Sequence, residues 1–180
     1  MFGFKSQSRS KAEEKAGIQF LAALLVCYPE ISSVTYDPKK TALTFDFVVR
    51  GSYPEKELNA FTMLLSESVE TYHALTDGSH VYLAVRGEEI VAENRTVMFH
   101  VDRDIRSLDR GELTLLARLF TEHFGKALLV DSHSLKSLEQ DFASVQSELL
   151  DQMLGQAREL HFRMHMVGLR EGDRVVVYNR

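Results

Sequence analysis

The chain predicts an α+β domain: a mainly antiparallel, twisted sheet with helices packed on one face. Three observations point there. Residues 42–50 and 96–102 alternate apolar and polar side chains, the period of a strand with one packed and one wet face. Each is followed by a segment whose apolar residues recur at helical spacing. The two units also echo each other: Thr41 to Arg50 leads into a helix opening Glu57-Leu58, and Arg95 to Arg103 into one opening Glu112-Leu113. Strand, strand, helix thus occurs near 31–78 and again near 80–125, which suggests an internal ββα duplication. The 180 residues suffice for a single α+β domain, 1–180, with one substantial core.

The elements follow in order. Residues 1–9 lack periodicity and are expected to fray. Ser10 is placed to cap a helix from Lys11 to about Tyr28, which Pro29 ends. Ile18 to Cys27 is almost wholly apolar, so Leu21, Leu24 and Leu25 should be buried. With Lys5, Arg9, Lys11 and Lys15 ahead of it, this run has the outline of a signal sequence. Glu13 and Glu14 dilute the basic stretch, however, and Cys27-Tyr28-Pro29-Glu30 offers no small-residue cleavage site. Val26 stands where lipoprotein processing wants a small residue, and the run is too short to span a bilayer. A buried first helix is the expectation.

Val34 and Tyr36 then alternate with Ser33, Thr35 and Asp37, and Asp37-Pro38-Lys39-Lys40 turns the chain. Leu43, Phe45, Phe47 and Val49 return on one face; Ala42, Thr44, Asp46, Val48 and Arg50 take the other. Ser52-Tyr53-Pro54-Glu55 has the spacing of a capping box. The helix it opens runs to about Leu75 with Leu58, Phe61, Leu65, Val69 and Tyr72 as its stripe, and Asp77-Gly78 stops it.

In the second unit Val81, Leu83 and Val85 alternate with Tyr82 and Ala84. Arg86-Gly87-Glu88-Glu89 reads as a turn and Ile90-Val91-Ala92 as a third short strand. Val97, Phe99 and Val101 alternate with Met98, His100 and Asp102. Asp109 and Glu112 make a second cap pair, for a helix with Leu113, Leu116, Phe120 and Phe124 that Gly125 ends.

The remainder departs from the echo. Ala127 to Val130 reads as a short buried strand. The last section, 134–180, holds a long helix and a strand. Leu138, Phe142, Val145, Leu149, Met153, Ala157 and Leu160 form the helical stripe, continued by Met164 to about Val167 with Gly168 as the stop. Leu160, Phe162, Met164 and Met166 also alternate as a strand would. Val175 to Tyr178 closes the chain as a strand after the turn Glu171-Gly172-Asp173.

Composition bounds the function. A net charge of −5 repels phosphate backbones and anionic lipid, so no nucleic acid and no membrane partner is expected. The wet face of the sheet, with Thr44, Asp46, Met98, His100 and Asp102, is neither basic nor aromatic, unlike an RNA-reading sheet. Cys27 is the sole cysteine; an intramolecular disulfide is impossible and a cytoplasmic location is expected. At the end of an apolar helix it makes a poor nucleophile. The sequence contains no G-x-S-x-G, no G-x-G-x-x-G, no phosphate-binding loop and no C-x-x-C, so no cofactor is expected.

The sharpest metal candidate is His161-x-x-x-His165, whose imidazoles share a face in a helix or a strand, with Glu159 or Asp173 as a third ligand. Two histidines are half of a tetrahedral set, and a solvated helix face explains them more simply. His73, His80, His100, His123 and His133 read as surface histidines, and Asp102 to Arg110 as a solvated connection laced with local ion pairs.

In shape and charge the expected object is similar to small acidic dimeric chaperones and adaptors, an analogy of fold class that does not establish function. The expectation is a non-enzymatic protein-binding module, self-associating as a homodimer. Leu149, Met153, Leu160 and Met164, or an uncapped sheet edge, would form the interface. The alternatives are a metal-dependent enzyme or metal sensor using His161 and His165, and a module holding a small apolar ligand between sheet and helices.

Overall fold

A computed structural model describes residues 4–81, 83–90, 95–130, 140–159, 162–171 and 174–179, the side chains of 4–10 and 140–147 excepted. The elements are α1 (Phe4–Cys27), β1 (Ser33–Asp37), β2 (Ala42–Arg50), α2 (Glu55–Thr76), β3 (Ala84–Ile90), β4 (Thr96–Asp104), α3 (Arg110–Phe124), α4 (Gln140–Glu159), β5 (Met166–Glu171) and β6 (Arg174–Asn179). The strands form one six-stranded antiparallel sheet in the order β3-β4-β2-β1-β5-β6. The two ββα units meet through their second strands, β2 and β4, with Phe47 opposite Phe99. The C-terminal hairpin extends the other side, placing Gly168 opposite Val34.

One face carries the helices. Leu43, Phe45, Phe47 and Val49 are buried, as are Val97, Phe99 and Val101, and the residues between them are half-exposed. The expected register holds. α2 and α3 cover the β2–β4 half: Phe47 stacks on Phe120 with centroids 3.9 Å apart, and Phe61 meets Phe99 edge-on at 5.5 Å. α1 covers β1, β5 and β6, with Leu21, Leu24 and Leu25 fully buried. It lies close because Gly168 has no side chain; a Cβ there would sit 3.1 Å from Leu25 Cδ1. Arg170, on the same face, donates to the carbonyls of Leu25, Tyr28 (3.2 Å) and Ile31 (3.1 Å), closing the carbonyl end of α1. α4 packs on α1 and α3 through Leu150, Leu154 and Ala157.

The turns follow the expected chemistry. Lys39 N–H donates to Asp37 Oδ1 at 2.9 Å in the first hairpin. Gly78 stops α2 at a φ of 73°, the left-handed conformation glycine allows.

Elsewhere the structure corrects the sequence reading. α1 begins at Phe4, so Ser10 lies inside the helix; Lys, Glu and Ala dominate that stretch and nothing breaks it. The Ser52–Glu55 box does not form: Pro54 is the N-cap, and Ser52 Oγ donates instead to Glu89 Oε1 at 2.9 Å. Arg86-Gly87-Glu88-Glu89 is not a turn but the middle of β3. At a sheet edge charged side chains reach water, and Gly87 lies against the Phe99 ring. Val81 and Leu83 are buried ahead of that strand, while Tyr82, Val91 and Ala92 lie outside the described residues. Of the Ala127–Val130 strand there remains a 3₁₀ turn, Gly125–Ala127, and one bridge from Leu128 to Val49.

The long helix ends at Glu159 and does not reach Val167; Met166–Glu171 is β5, with Gly168 inside it rather than at a helix stop. Pairing with both β1 and β6 outweighs continuation of the helical stripe. Within α4 the buried stripe is rotated by one residue, to Leu150 and Leu154, and Leu149 is exposed. Adjacent leucines leave that choice to the neighbouring helices. Leu138, Leu160, Gly172 and Asp173 lie outside the described residues.

Candidate functional site

Among the described residues two places gather polar side chains. The first is the face of the sheet opposite the helices. Pairing sets Arg86, His100, Asp46, Ser33, Leu169 and Val176 in one row across it. The next row holds Ala84, Asp102, Thr44, Thr35, Val167 and Tyr178. Asp46 is the hub: its Oδ1 lies 2.7 Å from His100 Nδ1 and its Oδ2 accepts from Ser33 Oγ. Thr44 Oγ1 donates to Asp102 Oδ1 at 2.5 Å, and Arg86 Nη2 lies 3.3 Å from Asp102 Oδ2. Glu88 Oε2 stands 3.6 Å from His100 Nε2.

Serine, histidine and aspartate here have the composition of a nucleophilic triad but not its order. Serine and histidine both bond to the aspartate, so the hydroxyl faces no base. Beside this polar centre Val167, Leu169 and Val176 are half-exposed and Tyr178 is exposed. Tyr178 Oη donates to Glu171 Oε1 at 2.5 Å, and that carboxylate holds the phenol above its ordinary value.

The second place is buried under the helices. Arg103 continues the inward series of β4, Glu112 lies in the first turn of α3, and His73 belongs to the buried stripe of α2. Arg103 Nε donates to Glu112 Oε1, and Nη2 donates to Glu112 Oε2 at 2.8 Å and to Ser107 Oγ at 3.2 Å. His73 Nε2 lies 2.6 Å from Glu112 Oε2, so the proton of a neutral ring sits on Nε2, and Nδ1 is buried without a partner. Asp109 caps α3, accepting from Glu112 N–H at 2.8 Å and from Tyr72 Oη at 3.0 Å. The expected Asp109–Glu112 cap is thus half formed, because the Glu112 side chain turns inward. The 102–110 run is likewise not a solvated connection, since Arg103, Ile105 and Leu108 are buried, and His73 is not a surface histidine.

No family model, curated protein or solved structure matches this chain.

A cleft of about 440 Å³ opens beside Arg103 and is lined also by Ser79, His80, Asp102, Asp104 and Ser107. Another, of about 300 Å³, lies at the end of α1 against Cys27, Tyr28, Arg110 and Arg118. Burial pushes the Cys27 thiol up, partly opposed by Arg110, which leaves little thiolate. Neither cleft is an apolar chamber between sheet and helices, where phenylalanine rings fill the space.

The sequence-predicted site residues fall only partly within the described residues. His165 is half-buried with Nδ1 unpartnered, and His161 lies outside the described residues. Among the described residues no three His, Cys, Asp or Glu side chains are grouped to hold a metal. Leu149 is exposed and Met153 half-buried, one turn apart on α4. Met164 lies beyond that helix, where Asn179 Nδ2 donates to its sulfur at 3.4 Å, and Leu160 is outside the described residues. Among the described residues no helix is long and apolar enough to cross a membrane.

Proposed function

We propose that this chain is a protein-binding module of adaptor or chaperone type that holds a protein partner against the uncovered face of its sheet. The supporting observation is one-sidedness. All the described helices lie on one face, and on the other Val48, Met98, Val167, Leu169 and Val176 stand half-exposed around a polar centre. The carboxylates, hydroxyls and imidazole of that centre are bonded to one another. Such a surface holds no paired nucleophile and base. It offers apolar area with fixed polar contacts, the composition of a protein interface. A cytoplasmic setting belongs to the same reading, because the only cysteine is a half-buried free thiol.

Site-specific photo-crosslinking tests the proposal. A photoreactive residue at Met98 or Leu169 should yield adducts with a discrete protein, and the same residue at Arg118, exposed on α3, should not. Equal adducts at Arg118, or none at either sheet position, would refute it.

A further inference from the structure

The two edges of the sheet are built differently. β3, at one edge, carries Arg86, Glu88 and Glu89, charges of the kind that keep an open edge from pairing with another chain. β6, at the other, reads Arg-Val-Val-Val-Tyr-Asn. From Val175 to Asn179 it has no charge, proline or glycine, and its valines favour strands. Among the described residues no strand pairs its outer side. An edge of this composition is a template for another strand.

We infer that its occupant is β6 of a second copy, paired antiparallel about Val176, so that two sheets join into one. The inference rests on reading the chain as a self-associating binding module, and it names the surface and the register.

Symmetry and the composition of the strand select that register. A two-fold axis normal to the sheet pairs residues that share a face. Val176 then faces the partner subunit's Val176, and Val175 faces the partner subunit's Val177. Arg174 faces the partner subunit's Tyr178. Arg174 would stand between Glu171, its own neighbour across the hairpin, and an aromatic ring, with no like charge opposite. Centring on Val177 instead leaves Arg174 opposite no residue of the described strand and sets Val175 against the partner subunit's Asn179. Centring on Val175 leaves Val177 and Tyr178 opposite no residue of the described strand. Only the Val176 register sets all three valines against valines. On the uncovered face it also brings the Leu169–Val176 pair against its own copy, an unbroken apolar row.

Two experiments test this. In a Cys27→Ser background, Val176→Cys places a thiol on the axis. Directly opposed residues of an antiparallel pair have Cα atoms about 4.5–5.5 Å apart, within disulfide reach. Oxidation should give a cross-linked dimer in near-complete yield, and a cysteine at Arg118 should give none. Separately, Val176→Lys and Val176→Glu should each weaken the dimer at least tenfold, and an equimolar mixture should restore it, because the axis sets position 176 against itself. Sedimentation at about 20 μM, a working range for specific self-association, reads both. Val176→Cys carries the test if either charged variant fails to fold. A monomeric parent, a dimer that persists in both charge variants, or a mixture that stays monomeric would each overturn the inference. If these fail while crosslinking from Met98 and Leu169 succeeds, the binding-module reading stands and the β6 interface falls.

Discussion

Replacing Glu112 with Gln probes the buried cluster at its hub. Glu112 is 0% exposed and Arg103 2%, so neither group exchanges its partner for water. Glutamine keeps the shape and still accepts one hydrogen bond from Arg103, but it removes the charge that balances the guanidinium. Breaking a buried pair on one side costs about 3–5 kcal/mol, because the remaining ion loses its buried counter-charge. For a chain of this length each kcal/mol moves Tm by about 2–4 °C, so the midpoint should fall by about 6–20 °C. The control removes every charge at once: Arg103→Met, Glu112→Leu and His73→Phe together should lie within about 2 kcal/mol of the parent, or above it. Urea unfolding followed by circular dichroism measures both, provided the slopes agree. The reasoning fails if Glu112→Gln costs less than about 1 kcal/mol, which would mean that water enters from the neighbouring cleft. It fails equally if the triple variant is as damaged as the single one.

Leu24→Ala should destabilise by about 2–5 kcal/mol, the cost of a cavity in a packed core, and an unchanged melting curve would make α1 peripheral. Tyr28 is pushed up to about 12, chiefly by burial, against an ordinary value of 10.0. Its folded value lies above its unfolded one, so its contribution is complete below the ordinary value and is lost as pH rises through the folded one. Alkaline ultraviolet titration should show a late-titrating tyrosine component that is reduced in Tyr28→Phe. Elemental analysis of purified protein should find no stoichiometric metal at His161 and His165. About one zinc per chain, lost on His161→Ala with His165→Ala, would favour the metal-dependent alternative.

The central sheet is legible in the sequence because Phe45, Phe47, Val97 and Phe99 sit in segments where a one-residue slip would turn every apolar side chain to water. The edges are less legible. At β3, paired on one side, charge and glycine cost little, so Arg86 to Glu89 resembles a turn. β5 is ambiguous because residues 160–167 satisfy both periods, and its partner Val34 is remote in sequence. That ambiguity hides Val167 and Leu169 from any reading of the uncovered face, although its polar members, Thr44, Asp46, His100 and Asp102, are correctly placed. The buried cluster carried a signal. Arg103 shares the inward parity of Val97, Phe99 and Val101, and His73 follows Phe61, Leu65 and Val69 at intervals of four. Local charge density around residue 103 outweighed it.

The strand order has a consequence for the newborn chain. α1 is made well before β5 and β6, on which it packs, and Leu25 and Arg170 are 145 residues apart. At the roughly 5–20 residues per second of translation, about 7–30 s separate their emergence from the ribosome. Throughout that interval Leu21, Leu24 and Leu25 lack the β5–β6 part of the sheet that shelters them in the finished molecule. A message cut short before Met166 yields a polypeptide in which the β5–β6 part of that cover is missing. Each round of synthesis therefore leaves a greasy amino-terminal helix waiting for its carboxy-terminal lid, a window in which ribosome-associated holdases or proteases have their target.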